Sequence, residues 1–162
     1  MYKKKTWREK LDNIHTSEGD LPRIEKITLK QSKIWGKGTL VIPAPGEVDE
    51  IMKKIPRGKL ITINEIRDIL AKKHGATIGC PITTGIFASI AAHAAAEDEG
   101  VGKKHYTPYW RTLKKGGEIN EKYPGGILEQ AERLESEGFE VVFKGKKAKV
   151  KDFERYLVKI MV

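Results

Sequence analysis

Three predicted helices joined by short turns constrain the fold of this chain more than any other feature. From Val48 to Ile55, apolar residues recur at positions i, i+3, i+4 and i+7, which predicts a helix with one buried face. Thr62 and Glu65 form a capping-box pattern at the start of a second helix, in which the Thr62 hydroxyl is expected to accept from the Glu65 amide. Gly75 predicts the end of that helix, because glycine readily adopts the left-handed conformation.

A third helix is predicted after a short loop. Thr83 or Thr84 is expected to cap it, and the alanine-rich run from Ala91 to Ala96 makes it slim. Three helices in this order, with short turns between them, predict a helix-turn-helix over residues 48–97. A slim third helix can approach a binding partner closely, and it can equally be an ordinary buried helix.

An aromatic-rich stretch lies about ten residues beyond the third helix. Residues 106–126 hold three Tyr, one Trp, one Arg, two Pro and four Gly, which are residue types that often form binding sites. The stretch is interpreted either as a pocket wall or as a strand and hairpin with core aromatics. Residues 110–113, followed by a turn at 115–117, predict a small β-element that would form a wing.

The remaining segments give weaker predictions. Before the three helices these are a helix over 7–15, a segment over 23–34 that suits either strand or helix, and a strand over 39–42. A turn with two prolines at 43–46 predicts a domain boundary. After the aromatic stretch, the predictions are a helix over 127–137, a strand over 140–143 and a closing helix over 152–160.

The chain is basic, with a formal net charge of +9 and an isoelectric point near 9.5. Residues 1–60 contain 14 Lys and Arg against 8 Asp and Glu, so the excess leans toward the N-terminal third. Such a balance favours nucleic-acid binding, because released counterions drive association with phosphate. A solvated arm that packs on the main domain explains the same charge. The length of 162 residues fits one domain, or one domain with an extension.

Several classes of protein do not fit the composition. The sequence has no run of about eighteen apolar residues and no apolar segment near its start. We therefore expect no membrane partner and no secretion, and we expect a cytoplasmic location. A single cysteine, Cys80, excludes an internal disulfide and a cysteine-cluster zinc site. The four histidines lack metal-ligand spacing, so neither a metal nor a cofactor is expected.

The helix-turn-helix and the aromatic stretch together resemble the C-terminal domain of the alkylguanine-DNA alkyltransferases and their non-catalytic relatives, the alkyltransferase-like proteins. The matching segments are, in chain order, Ile55 to Thr62, Glu65-Ile66, Pro108 to Thr112, Tyr123 to Ile127, Leu134 and Glu137-Gly138. Among these, Pro108 to Thr112 stands at the family's active-site motif Pro-Cys-His-Arg-Val. The resemblance covers about residues 47–143.

This resemblance implies an α+β fold, with a winged helix-turn-helix-like DNA-binding domain over 46–162 and a basic N-terminal extension over 1–45 that packs on it. It also implies a protein that is not an enzyme. Tyr109 stands where the family has its alkyl-accepting cysteine, and Trp110 stands where it has the histidine that activates that cysteine. A phenol with a pKa of about 10 is mostly protonated at neutral pH and is a poor acceptor.

The resemblance also implies site residues. A pocket for an altered base is expected from Pro108, Tyr109, Trp110, Arg111, Tyr123, Gly125 and Gly126. DNA contacts are expected from Thr62, Thr83, Thr84, Ser89, Arg57, Lys59, Lys114 and Lys115. The family's tyrosine that helps to rotate the target nucleotide falls at Ile63, and its intercalating arginine falls near Thr84. These two replacements remove groups that support base flipping.

The expected partner is double-stranded DNA with alkylated guanine or another altered base, with a repair protein as a second partner and a monomeric chain. Two alternatives stay open. The first is a winged-helix interaction or regulatory module without lesion recognition, which the replaced tyrosine and arginine would allow. The second is an alkyltransferase that uses Cys80, a residue that is also interpreted as a small buried or capping residue before the third helix.

Overall fold

The computed structural model describes residues 4–159 and contains helices, short strands and three 3₁₀ turns. The helices α1 to α6 are Trp7–Asp12, Leu29–Trp35, Pro45–Lys53, Ile63–His74, Pro81–Gly100 and Gly126–Ser136. The strands β1 to β7 are Arg23–Lys26, Thr39–Ile42, Ile61–Thr62, Ile78–Gly79, Thr112–Leu113, Val141–Lys144 and Lys147–Val150. The 3₁₀ turns are Tyr109–Arg111, Lys115–Gly117 and Phe153–Tyr156. The architecture therefore mixes helix and sheet, as the predicted class requires.

Helix α5 is the longest element and lies at the centre of the larger core. Apart from Asp98, its buried side is made of small residues, namely Thr84, Ala88, Ala91, Ala92, Ala94 and Ala95. Because these side chains are short, the helices α1, α3 and α4 pack closely against α5. Although α5 has 20 residues, no helix within residues 4–159 is both long and apolar enough to cross a membrane.

Helix α4 begins and ends close to the predicted residues. The Glu65 carboxylate accepts from both the amide and the hydroxyl of Thr62, at 2.9 and 2.7 Å. The capping box predicted at Thr62 and Glu65 is therefore present, and the Thr62 hydroxyl additionally donates to the Glu65 carboxylate. Gly75 ends the helix with φ of 68°, in the left-handed conformation expected of it.

Helix α5 begins at Pro81, so the predicted cap at Thr83 or Thr84 is wrong. Proline suits the first helical position because its ring fixes φ near a helical value and its missing amide hydrogen would have no partner there. Thr84 lies inside the helix, where its hydroxyl donates to the carbonyl oxygen of Cys80 at 2.6 Å.

The N-terminal segment joins the helical core through a sheet and a helix. Strands β1 and β2 pair antiparallel, and β2 pairs parallel with β4, which lies between α4 and α5. The helix predicted over 7–15 is shorter than expected, and the ambiguous segment over 23–34 divides into strand β1 and helix α2. The division into an extension and a domain near residue 46 stays a prediction.

A second core forms around β3, β5, α6 and the hairpin of β6 and β7. Strands β3 and β5 pair parallel, with Ile61 opposite Thr112 and Thr62 opposite Leu113. Of the small β-element predicted over 110–117, the strand β5 and a turn at 115–117 are present, but the strand pairs with β3 and forms no hairpin of its own. Residues 112 and 113 pair with a distant strand instead of with a neighbouring one, and 3₁₀ turns lie on both sides. The two-stranded antiparallel hairpin lies later, over 141–150.

The chain after β7 does not form the predicted closing helix over 152–160. Its described part contains the 3₁₀ turn Phe153–Tyr156, after which Leu157 forms a β-bridge with Leu60. The amide of Val158 also donates to the Leu60 carbonyl oxygen, at 2.8 Å. These bonds require extended backbone, which an α-helix through the same residues would not allow. Ile160, predicted on the face of that helix, lies outside the described residues.

Candidate nucleic-acid interface

Tyr109, the residue at the position of the family's nucleophile, is buried in the core. It is 1% exposed, and its ring meets those of Trp110 and Tyr123 edge to face, at centroid distances of 5.4 and 5.7 Å. Burial raises the pKa of Tyr109 above its ordinary value, although the Arg133 cation opposes part of that rise. The phenol is therefore neutral at physiological pH and is a weak nucleophile.

Arg111 is held by a buried carboxylate. Its Nη2 lies 3.0 Å from Oε2 of Glu137, its Nε donates to the same carboxylate, and its Nη1 donates to the Ile55 carbonyl oxygen at 2.7 Å. The Trp110 indole and the Gly58 amide donate to Glu137 as well. Burial alone would raise the pKa of Glu137, but these hydrogen bonds lower it below its ordinary value. Arg111 and Trp110 thus have structural partners that fix the turn containing them.

Arg133 contacts the rings of Trp110 and Tyr109. Its guanidinium carbon lies 4.9 Å from the ring centroid of Trp110 and 5.5 Å from that of Tyr109. The same guanidinium pairs with Glu99 at 2.6 Å and with Glu129 at 3.0 Å. Cation–aromatic contacts with a cation fixed by two carboxylates restrain both rings. The aromatic motif is therefore tied to α5 and α6 through one arginine.

An open cavity of about 610 Å³ lies beside the turn of residues 109–111. Its lining residues are Lys53, Lys104, His105, Tyr106, Pro108, Trp110 and Arg111. Three of the predicted pocket residues are thus at this surface. Tyr109 and Tyr123 lie in the core instead, with exposures of 1% and 2%. The predicted pocket residues are therefore divided between a surface cavity and the interior.

Gly125 and Gly126 support a backbone turn before α6. Their φ values are 78° and 72°, in the region that favours glycine. A Cβ atom on Gly125 would lie 2.5 Å from the Glu129 side chain. These two glycines consequently account for the sharp entry into α6 without any ligand.

A groove of about 550 Å³ runs along α5 at a different place from this cavity. Its α5 side consists of Ile82, Gly85, Ile86, Ser89 and Ile90, and its other lining residues are Trp7, Ile63, Lys114, Asn120, Glu121 and Lys122. Ile82 and Ile86 are 59% and 51% exposed, which is unusually high for two isoleucines one helical turn apart. The groove therefore combines exposed isoleucines with lysines. A partner that carries flat apolar groups and negative charge would fit such a lining.

The predicted DNA-binding residues differ in their relation to this groove. Ser89 and Lys114 line it, and Lys114 pairs there with Glu121 at 3.2 Å. Thr62 and Thr84 are buried, and their hydroxyls donate to protein oxygens. Neither hydroxyl is available to a ligand in this conformation.

Four further predicted residues do not line this groove. Arg57, Lys59 and Lys115 are exposed, and Arg57 donates to the Ser136 carbonyl oxygen at 3.0 Å. Thr83 is half-buried, and its hydroxyl oxygen has no hydrogen-bond partner among residues 4–159. DNA contact by these four residues stays a prediction.

Cys80 has a structural position. It is 6% exposed and precedes the first residue of α5, and its amide donates to the Val41 carbonyl oxygen at 2.9 Å. The thiol packs in the core cluster that contains Leu40 and Ile42. Within residues 4–159, no group of three His, Cys, Asp or Glu side chains could hold a metal ion.

Trp7 and Lys122 are groove residues that the sequence patterns did not identify. Trp7 is brought to the groove by the packing of α1 on α5, which no local pattern encodes. Lys122 lies in an irregular segment where lysine is common, so its place beside α5 depends on the tertiary fold. A signal was present for Ile82 and Ile86, because their spacing puts two large apolar residues on one face of a helix whose buried face is alanine.

Comparisons with known proteins give structural matches alone. No family model matches the chain, and no curated protein matches it. Solved structures do match. One is S. pombe Atl1 in complex with damaged DNA containing O6-carboxymethylguanine, at 22% identity and a TM-score of 0.50. Another is S. pombe ATL in complex with DNA, at 23% identity and a TM-score of 0.52. Each match covers 72% of this chain and 94% of the other chain. This chain therefore has a fold like that of an alkyltransferase-like protein.

Proposed function

We propose that this protein binds duplex DNA through the α5 groove, recognises an altered base such as alkylated guanine, and transfers no alkyl group. The observation that carries the proposal is the groove itself. Ile82 and Ile86 offer apolar surface to bases and sugars, while Lys114 and Lys122 offer charge to phosphates. In this proposal α4 and α5 act as a helix-turn-helix and the hairpin of β6 and β7 as its wing.

The fold supports the same proposal. Atl1, whose fold this chain shares, was solved with damaged DNA. The net charge of +9 adds support, because a cationic protein gains free energy from counterion release on a duplex. A repair-protein partner, a monomeric state and a cytoplasmic location belong to the same proposal.

The proposed absence of transfer chemistry follows from the nucleophiles. Alkyl transfer needs an accessible acceptor in its ionised form. Tyr109 is buried and its pKa is raised by that burial, so it is neither accessible nor ionised. Cys80 is buried at the start of α5, away from the Pro108 to Arg111 motif in sequence. Neither side chain meets the requirement.

A second candidate function is DNA binding without lesion recognition. It is favoured by one observation, the mutual burial of Tyr109 and Tyr123. In the resembling family the corresponding residues lie at the base pocket, and two packed rings leave no accessible surface there for a flipped base. The groove along α5 would then read the duplex without extracting a nucleotide.

Fluorescence anisotropy with two labelled duplexes separates these candidates. The duplexes are identical except for one guanine, which is O6-methylguanine in the second. The proposal predicts steeply salt-dependent binding of both, with plain-duplex Kd values of about 10⁻⁴ to 10⁻⁶ M at physiological salt and roughly tenfold tighter binding to the alkylated duplex. Equal affinity for both duplexes supports the second candidate. Absence of binding to either duplex at low salt contradicts both.

Intact-protein mass spectrometry tests the absence of transfer. After incubation with an excess of the alkylated duplex, the protein mass is expected to be unchanged. A mass increase of one methyl group that maps to Cys80 would instead identify an alkyltransferase. Cys80→Ser is the control, because a real adduct at that thiol must disappear in it.

A further inference from the structure

We infer that residues 4–10 form one side of the DNA-binding face, with Trp7 in the groove wall and Lys4, Lys5 and Lys10 as phosphate contacts. The inference rests on the proposed function, since it requires the α5 groove to bind DNA. It assigns a binding role to the N-terminal segment, which carries none in the proposal above.

Helix α1 is fixed to α5 at its first residues. The amides of Trp7 and Arg8 both donate to the Glu97 carboxylate, each at 3.0 Å. The Arg8 guanidinium pairs with Asp98 at 2.7 Å. These two acidic residues of α5 are thus engaged by α1. The contacts hold the start of α1 in a defined place beside the groove.

The indole of Trp7 is linked through His93 to Lys122, a second residue of the groove lining. It stacks on the His93 ring, with centroids 4.4 Å apart and planes inclined by 20°. His93 Nε2 lies 2.9 Å from the carbonyl oxygen of Lys122, another residue that lines the groove. The Lys10 ammonium lies 4.1 Å from the indole centroid, and His93 occupies one ring face, so Lys10 covers the other. The edge of the indole therefore lines the groove.

The segment brings positive charge to that edge. Lys4 and Lys5 are exposed and lie within three residues of Trp7, hence within about 11 Å of it along the chain. None of Lys4, Lys5 and Lys10 has a carboxylate partner among residues 4–159. The groove lining itself holds two lysines and one glutamate, so these three lysines are a large part of the local positive charge.

Duplex DNA suits this arrangement better than a folded protein partner. Basic segments beside a recognition helix commonly contact the DNA backbone or an adjacent groove. Flexible lysines act as point charges toward phosphate and need no shaped complement. An acidic protein surface is also negatively charged, so the experiment compares duplex DNA with an acidic polypeptide.

The test compares two triple variants of the full chain, each losing three lysines. The first is Lys4→Ala with Lys5→Ala and Lys10→Ala. The matched control is Lys30→Ala with Lys33→Ala and Lys37→Ala, on or just after α2, which does not line the groove. Binding to a plain duplex is measured by anisotropy at several salt concentrations. Each phosphate contact contributes about 0.9 to the slope of log K against log salt.

The first variant is expected to flatten that slope by roughly two to three, and the control by less than about one. Equal flattening in both variants, or none in the first, overturns the inference while leaving DNA binding itself intact. If the unmodified chain binds no duplex, the proposed function fails together with the inference. Polyglutamate serves as the acidic-polypeptide arm: if it competes with the duplex at equal charge concentration, the segment is a general polyanion site and not a DNA contact.

Hydrogen exchange by mass spectrometry gives a second measurement without substitutions. Peptides covering residues 4–12 are expected to exchange more slowly in the presence of duplex, as are peptides covering the start of α5. Peptides covering α2 are expected to be unchanged. Protection of α5 without any protection of residues 4–12 would overturn the inference.

Discussion

The Arg111 guanidinium and the Glu137 carboxylate form a buried ion pair, with Nη2 and Oε2 3.0 Å apart. The Glu137 side chain is 2% exposed, and it also accepts from Trp110 and Gly58. This carboxylate therefore fixes the aromatic turn to the loop between α3 and α4. The turn keeps its place even though its residues lack the acceptor chemistry of the family that it resembles.

Replacement of Glu137 by alanine is expected to destabilise the fold by about 3 kcal/mol, because it leaves the largely buried Arg111 without its counter-charge. The measurement is urea-induced unfolding followed by circular dichroism. Glu140→Ala is the control, since Glu140 is exposed and lies 3.7 Å from Lys151, and it should change stability by less than about 1 kcal/mol. Similar losses of unfolding free energy in both variants would show that the Arg111–Glu137 pair stabilises the fold no more than an exposed pair does.

The same carboxylate predicts a dependence of stability on pH. The folded pKa of Glu137 lies below its ordinary value of 4.5, so its contribution is present above that value and is lost as the pH falls through the lowered pKa. Unfolding free energies of the unmodified chain and of Glu137→Gln are compared from pH 7 to pH 3. Their difference should be constant at neutral pH and should shrink below about pH 4.5. A difference that stays constant throughout would contradict the lowered pKa.

Two buried threonines should respond in opposite directions to the same substitution. The Thr112 hydroxyl is buried without a hydrogen-bond partner among residues 4–159, whereas the Thr107 hydroxyl donates to Asp49 at 2.6 Å. Thr112→Val removes an unpaired polar group and is expected to stabilise the fold by about 1 kcal/mol, while Thr107→Val should destabilise it by about 1–3 kcal/mol. Thermal and urea unfolding measure both. A loss on Thr112→Val would reveal a hydrogen bond that its surroundings do not show.

Much of the helical framework was predictable because its signals are local. The apolar spacing from Val48 to Ile55 predicted α3 to within a few residues, and Gly75 marked the end of α4. The predicted helix over 127–137 is α6, shifted by one residue. In each case, the residues that define the element lie within a few turns of one another in the sequence.

The site was less predictable because it depends on long-range packing. The pairing of β5 with β3 joins two-residue strands about fifty residues apart, and so short a strand has no periodicity to detect. The burial of Tyr109 depends on the ring of Tyr123, which precedes α6, and on Arg133 in α6, and the motif alone specifies neither contact. Pro81 was a local signal for the start of α5, but Thr83 and Thr84 are also typical capping residues and were predicted as the start instead.

Two glycines beside α5 should also respond oppositely to alanine. A Cβ atom on Gly79 would lie 2.6 Å from the backbone oxygen of Arg67, so Gly79→Ala should cost about 1–3 kcal/mol through overpacking. Nothing lies within 4 Å of a Cβ atom on Gly85, which is helical, so Gly85→Ala should stabilise α5 by about 0.5–1 kcal/mol. Urea unfolding measures both values. A stable Gly79→Ala variant would mean that β4 and α4 can separate without cost.

A negative charge placed in the α5 groove should weaken DNA binding. Ser89 is half-buried and lines the same groove as Lys114 and Lys122, so Ser89→Glu would set a carboxylate against the phosphates that these lysines are proposed to contact. The affinity for a plain duplex is expected to fall about tenfold or more at low salt, which corresponds to about 1.4 kcal/mol, and the loss should diminish as salt screens the repulsion. Ser17→Glu carries the same charge change on an exposed turn and should alter the affinity less than about threefold, under 0.7 kcal/mol. Equal effects from the two variants would show that net charge, and not the groove, governs binding.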